Sequence, residues 1–318
     1  FTADWKTAFR QHFNAVRLFN AHRATYAERM ALLEVLKGID QDWEEAMQRV
    51  IDALRADWSA RAATAADQVL DYLEEVFGHG ETVSVSGAPS PEAVEIAEAR
   101  CREAIEGIER KLFKRIQSLY RHNLFRYDLP EDSAVRLPLF SRNTWRVMGL
   151  DRWQLATAMG TSGGVVGAGL DVMAGGITFG VFTASGAFLG ALSALVGGRQ
   201  LARTRLSWFK NPFLPKGMKL GSERLTVRLH PDLRLFFVLL DRPLLYYRHV
   251  INWAHAFRDA PPASGKQGVT ASWPSARRSA ATRFFEALKK AKDEPVSEPD
   301  RTAFRDELGK ALGEIAEG

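Results

Sequence analysis

The chain has 318 residues, of which 46% are hydrophobic and 25% charged, and its formal net charge at pH 7 is +5. These proportions are ordinary for a globular protein of a few domains, and the positive charge favours an anionic partner surface, either lipid or nucleic acid. The single cysteine, Cys101, excludes an internal disulfide and any metal site built from several cysteines.

Residues 1–40 are predicted to form a helix, a short strand and a second helix. Trp5, Phe9 and Phe13 are spaced for one helical face. Because the sequence starts at Phe1 rather than at methionine, we expect it to be a piece of a longer protein.

Residues 41–128 are predicted to form a stalk of two long antiparallel helices, joined by a loop at residues 78–91. The apolar face of the first helix comprises Trp43, Met47, Val50, Leu54, Trp58, Ala62, Ala65, Val69, Leu73 and Val76. The apolar face of the second comprises Ala97, Cys101, Ile105, Ile108, Leu112, Ile116 and Leu119. We expect the charged positions of the second helix to be solvated, namely Glu103, Glu106, Glu109, Arg110 and Lys114.

Residues 129–260 are predicted to form a domain built around a hydrophobic hairpin at residues 153–198. Asp171 is the only charged residue of this hairpin, which is long enough for two passes of about 20 residues across a bilayer. Glycines four residues apart allow two helix backbones to approach closely. The predicted glycine zipper and its turn comprise Gly160, Gly164, Gly167, Gly175, Gly176, Gly180, Gly186 and Gly190.

Basic residues follow the hairpin, and positive flanks favour the cytoplasmic side of a membrane. The residues expected to face anionic lipid are Arg199, Arg203, Arg205, Lys210, Lys216 and Lys219. A second interpretation remains open, because a glycine-rich apolar hairpin can also be buried in the core of a soluble protein and covered by other helices.

The remaining chain is predicted to hold a strand at residues 225–229, then a short extended or helical piece from Leu233, and a helix that starts at about Arg242, with Pro243 in its first turn. Residues 261–279 are rich in Gly, Ser and Pro and predict a flexible linker. Residues 280–318 predict a C-terminal helical tail.

Motifs for catalysis are missing from the sequence. It contains no GxxxxGK[ST] phosphate loop and no HExxH metal motif. Cys101 lies on an apolar helical face, which predicts a core residue. The sequence therefore predicts no catalytic, cofactor-binding or metal-binding residue in this chain.

Three segments carry a resemblance to a known family: LFSRNTWRVMGLDRWQLA, GAGLDVMAGGITFG and FFVLLDRPLLYYRHVINWAHA. They resemble an uncharacterised bacterial domain that follows a small Ras-like (P-loop) GTPase domain in one polypeptide. AVRLFNAHRATYAERMALLEVL resembles the family's junction, so residues 1–40 would join this chain to a GTPase domain upstream. The residues that match the family pattern are Asp171, Gly175, Gly176, Asp241 and Arg242.

The resemblance implies that GTP and Mg²⁺ bind in the upstream domain, and it places no cofactor in this chain. The positive flanks of the hairpin predict a location at the cytoplasmic face of the bacterial inner membrane. The expected partners are anionic membrane lipid, a second membrane protein and further copies of the chain, whereas nucleic acid is disfavoured.

The leading hypothesis is a non-catalytic, membrane-associating helical module that couples the nucleotide state of a bacterial GTPase to a membrane partner. The fold expected for it is mostly α, with a long antiparallel helical stalk, a glycine-zippered hairpin and one or two short strands. The alternative is a conditional pore-forming or toxin-like protein with a buried hydrophobic hairpin.

Overall fold

Six α-helices and a small sheet make up the part of the chain that the structure, a computed structural model, describes. The described residues are 19, 24–85, 90–120, 129, 133–141, 144, 148, 213–216 (backbone only), 224–252, 268–291 and 296–317. The helices are α1 (Tyr26–Lys37), α2 (Gln41–Gly78), α3 (Pro91–Leu119), α4 (Leu233–Ile251), α5 (Ser275–Ala291) and α6 (Glu298–Glu317). The strands are β1 (Gly80–Ser84), β2 (Phe213–Lys216) and β3 (Arg224–Leu229), and short 3-10 turns span Ala134–Arg136 and Thr270–Ser272. The prediction of a mostly α fold is confirmed.

Side-chain caps define where the first helices begin. Thr25 and Glu28 form a reciprocal capping box at the start of α1, and Asp40 accepts a hydrogen bond from the second backbone N–H of α2. Ser90 caps α3 directly before Pro91, whose missing N–H costs nothing at the first helical position. Each such cap contributes about 1 kcal/mol, which fixes the helix boundaries locally.

The helices α2 and α3 pack antiparallel, as predicted for the stalk. Arg61 of α2 donates to the carbonyl oxygen of Leu119 at the far end of α3, at 3.5 Å. The predicted apolar positions are buried from Ala62 to Val76 on α2 and from Ala97 to Ile116 on α3. The first half of α2 differs: Ile51 is buried there, whereas Trp43, Val50 and Leu54 are exposed.

The sheet is antiparallel, in the order β1-β3-β2. The prediction of a strand at residues 225–229 is confirmed: Leu225, Val227 and Leu229 of β3 are buried and alternate with less buried residues. β1 lies within the predicted loop at 78–91 and pairs Val83 with Leu225. Its partner strand is distant in sequence, so the neighbouring residues alone do not specify it.

The helix α4 begins at Leu233, so the prediction that it starts at about Arg242 is wrong. Asp232 caps it by accepting a hydrogen bond from the N–H of Leu235 at 3.0 Å. Pro243 lies in the helix interior, where it removes one hydrogen bond at a cost of about 3 kcal/mol. Nearly every residue of α4 is buried, and this burial outweighs the lost bond.

The helices α5 and α6 pack against α2 and α4 through an aromatic cluster. Phe236 of α4 lies 5.3 Å from Phe285 and 6.3 Å from Phe304, measured between ring centroids, and Phe284 and Phe304 are 5.2 Å apart. Part of the predicted linker at 261–279 is described, from residue 268 onwards. It buries Thr270 and Trp273, so this stretch contributes to the same core.

The prediction of a transmembrane protein is corrected by the helices that the structure describes. None of them combines the length and the apolar character needed to cross a bilayer. The most deeply buried one, α4, carries Arg234, Asp241, Arg242 and Arg248, and α2, α3, α5 and α6 contact it. Its apolar surface is therefore matched by other helices of the chain. The assignment of a membrane-spanning protein has no support in this structure and is withdrawn.

Candidate functional site

An aspartate, an arginine and a histidine are buried within the apolar helix α4. Asp241 is 0% exposed, and Arg242 and His249 are each 4% exposed. A buried charge is costly unless it is paired and hydrogen-bonded. Each of these residues must therefore have partners on other elements.

Arg242 forms a bidentate ion pair with Glu109 of α3. Its Nε lies 2.5 Å from Oε1 of Glu109, and its Nη2 lies 2.7 Å from Oε2. Nη1 and Nη2 also donate to the carbonyl oxygens of Leu137 and Val135, at 2.8 and 3.2 Å. One guanidinium therefore joins α4, α3 and the 133–137 segment.

The charge state of this pair follows from its surroundings. Burial acts to lower the pKa of Arg242, but the hydrogen bonds and negative charge of Glu109 outweigh burial and raise that pKa above its ordinary value. The pKa of Tyr72 on α2 is also affected by this pair. Burial is the larger cause and the negative charge of Glu109 the smaller one, and together they raise the pKa of Tyr72 well above 10. Arg242 is thus held as a permanent cation.

Asp241, the neighbouring residue, holds a different segment. Its Oδ1 accepts a hydrogen bond from the backbone N–H of Thr270 at 2.7 Å. A Cβ placed on Gly268 would overlap the Asp241 carboxylate, so the backbone of this segment approaches α4 closely. Burial lowers the pKa of Arg248, and the charge of Asp241 partly offsets that effect. Asp241 therefore fixes the 268–270 segment against α4.

His249 adds a second contact between α4 and the 133–137 segment. Its Nε2 lies 3.0 Å from Oγ of Ser133, and that Oγ also accepts from the N–H of Val135. A serine beside a histidine is also a nucleophile–base arrangement, but both residues are only 4% exposed. The Ser133 hydroxyl caps the short 3-10 turn as well as contacting His249.

An aromatic series links α1 to α4. Tyr26 stacks on Trp58 with centroids 4.2 Å apart, and Trp58 lies 5.2 Å from Tyr120. The hydroxyls of Tyr120 and Tyr247 are 3.0 Å apart. Burial raises the pKa of Tyr120 to about 12, although the hydrogen bond with Tyr247 lowers it somewhat. Side chains of α1, α2 and α4 therefore contact each other in an unbroken line.

Of the residues singled out from the sequence, Asp241 and Arg242 are described, and both lie in this cluster. Sequence reasoning missed Glu109, which was expected to be solvated but is 4% exposed. That expectation is wrong because Glu109 lies four residues after Ile105 and three before Leu112, on the apolar face of α3. The position of this carboxylate, at the spacing of the buried residues of α3, was the feature of the sequence that could have identified it. Cys101 is buried as predicted, and burial raises its pKa to about 11.

The predicted hairpin lies outside the described residues. This applies to Asp171 and to the zipper residues Gly160, Gly164, Gly167, Gly175, Gly176, Gly180, Gly186 and Gly190. It also applies to the basic residues Arg199, Arg203, Arg205, Lys210 and Lys219, whereas the backbone of Lys216 ends β2.

The comparisons with known proteins give one family. A family model described as a domain of unknown function, DUF3482, matches residues 6–312. No curated protein and no solved structure matches the chain. Glu109, Asp241 and Arg242 all lie inside the matched range.

Proposed function

The chain belongs to the DUF3482 family over nearly its whole length, and we propose that it is a non-catalytic coupling module of a bacterial GTPase. In this proposal a small Ras-like GTPase domain lies in the same polypeptide, as the sequence resemblance implies. The helix α4 is the element that relays a change in α1–α3 to the rest of the chain.

The observation that carries this proposal is the pair of adjacent buried charges on α4. Arg242 binds Glu109 and the 133–137 segment, and Asp241 binds the 268–270 segment. A displacement of α3 must therefore move α4 or break the ion pair. Loss of one partner from a buried pair costs about 3–5 kcal/mol, so a joint movement of α3 and α4 requires less free energy than breaking the pair.

The aromatic series supports a route from α1 to α4. Tyr26 is the first residue of α1, and the series from it ends at Tyr247, which lies on α4 five residues after Arg242. The upstream domain would be joined through the residues before α1. A packed series of rings transmits displacement because protein interiors are close-packed.

Hydrogen exchange tests the proposal in the polypeptide that carries the GTPase domain. We expect amide protection in α3 and α4 to differ between the GDP-bound form and a form bound to a non-hydrolysable GTP analogue. In an R242M/E109L variant, which removes both charges together, the difference should persist in α3 and disappear from α4.

The matched control is E103Q, which alters an exposed carboxylate on the same helix. It should leave both differences in place. Equal protection in the two nucleotide states throughout α3 and α4 would rule out the coupling function.

A further inference from the structure

The second half of α3 exposes a cluster of basic side chains. What we call the α3 basic face comprises the exposed residues Arg110, Lys111, Lys114 and Arg115. None of them forms an ion pair or a hydrogen bond with the part of the chain that the structure describes. The only acid between residues 107 and 119 is Glu109, which is buried and bound to Arg242. The face therefore carries four positive charges without a paired acid.

The spacing of these bases reduces the stability of the helix. Arg110 and Lys114 are four residues apart, and Lys111 and Arg115 are also four residues apart. Each pair therefore lies on one side of α3, where its like charges repel. The helix dipole favours bases in the last turn, but the last turn of α3 contains none. A local pattern that opposes the fold is typical of a functional surface, so we expect this face to have an anionic partner.

The density of charge on the α3 basic face matches that of a nucleic-acid backbone. Between residues 110 and 115 the helix axis advances by roughly 7.5 Å, and the four charges lie within this length. Duplex DNA carries one negative charge per about 1.7 Å of its axis, which gives about four charges over the same distance. We propose that the α3 basic face binds the phosphate backbone of duplex DNA, with α3 lying along the backbone.

Two other anionic partners match this face less well. Basic helices that bind a lipid surface also insert an apolar face, and the apolar face of α3, from Ala97 to Ile116, is buried in the core. Ion pairs with an acidic protein surface contribute little individually, whereas each phosphate contact also releases a condensed counterion.

The contact reads no base sequence, because contacts to phosphate carry no sequence information. None of the four side chains is aromatic, so none can stack on a base. A contact of this kind needs no base-reading motif, and it departs from the sequence-based expectation that disfavoured nucleic acid.

Fluorescence anisotropy of a labelled DNA duplex of about 20 base pairs, titrated with the purified chain, tests this proposal. We expect a dissociation constant on the order of 1 μM at about 20 mM NaCl. Four phosphate contacts predict that the affinity falls roughly 150-fold between about 20 and 80 mM NaCl. Lys111→Ala/Lys114→Ala leaves two contacts. Its affinity should be at least roughly tenfold lower at the lowest salt, and it should fall only about 12-fold over the same range.

The matched control is Lys290→Ala/Lys310→Ala, which removes the same charge from exposed positions on α5 and α6. It should bind the duplex as the wild type does. The Lys111→Ala/Lys114→Ala variant should keep the far-UV circular dichroism of the wild type. Its melting temperature should be no lower, because the substitutions remove like-charge repulsion.

A chain that does not bind the duplex at the lowest salt would overturn the proposal. The same conclusion would follow if Lys111→Ala/Lys114→Ala kept the affinity and salt dependence of the wild type. Tighter binding to vesicles of phosphatidylglycerol and phosphatidylcholine, or to polyglutamate, than to the duplex would overturn the assignment of DNA as the partner.

Discussion

At the scale of single residues, the organisation of α4 depends on the angle between neighbouring side chains. Successive residues of an α-helix point about 100° apart, so Asp241 and Arg242 reach different elements although they are adjacent. Arg242 bonds Glu109, and Asp241 bonds the N–H of Thr270. Asp241 and Arg242 have opposite charges and are adjacent in sequence. They nevertheless bind two separate segments of the chain and do not simply pair with each other.

Gly268 is predicted to be essential for one of these contacts. Gly268→Ala would place a methyl group where the Asp241 carboxylate lies, so the segment must move away or the carboxylate must rotate. We expect the free energy of unfolding to fall by about 1–3 kcal/mol, measured by urea denaturation.

Gly309→Ala is the matched comparison for that substitution. Gly309 is in the interior of α6, and a Cβ added there meets no atom within 4 Å. Alanine should therefore stabilise the chain by about 0.5–1 kcal/mol through its higher helix propensity. Equal effects of the two substitutions would contradict the close approach of the 268–270 segment to Asp241.

At the scale of elements, α6 is held on α2 by ion pairs around an apolar centre. Arg305 pairs with Asp67 at 2.5 and 2.7 Å, and Arg301 reaches Asp71 and Glu74. Phe304, between the two arginines, is fully buried. Partly exposed ion pairs contribute little individually, so the apolar contact supplies most of the stability and the charges select the register.

The stability of this contact is predicted to fall in acid. The hydrogen bond from Arg305 holds the pKa of Asp67 below its ordinary 3.8. The pair therefore stabilises the folded state above pH 3.8, and its contribution is lost as the pH falls through the lowered folded-state pKa. We expect Arg305→Gln to lower the melting temperature by roughly 1–3 °C at neutral pH, and this difference should shrink as the pH falls through the lowered pKa of Asp67.

Arg283→Gln provides the control for charge alone, because Arg283 is exposed and bonds Ser279. Its effect on the melting temperature should not follow the titration of Asp67. An effect of Arg305→Gln that stays constant while Asp67 is protonated in the folded state would show that the ion pair is not its cause.

The boundaries of elements were predictable where the determinants are local. Thr25 and Ser90 begin helices by capping them, and the spacing of apolar residues on α3 gave its buried face. The start of α4 was not predicted, because Pro243 resembles a helix start and the capping residue Asp232 was not recognised. β1 was missed for a related reason: its hydrogen bonds go to β3, far along the chain.

At the scale of the whole molecule, the cluster on α4 joins residues that no local pattern relates. Glu109 and Arg242 are 133 positions apart, and Arg242 and Val135 are 107 apart. The sequence identified Asp241 and Arg242 only through a resemblance, and the identity of their partners required the fold. The glycine zipper lies outside the described residues, so it stays a prediction from the sequence.

The central claim is that adjacent charges on α4 hold different segments, and hydrogen exchange of the chain itself tests it most directly. In R242M/E109L the amides of the 133–137 segment should exchange faster, while those of residues 270–273 keep their protection. In Asp241→Leu, which removes the acceptor of the Thr270 N–H, the pattern should be the reverse. If either variant loosens both segments equally, or if neither segment changes, then α4 does not connect them through these two residues.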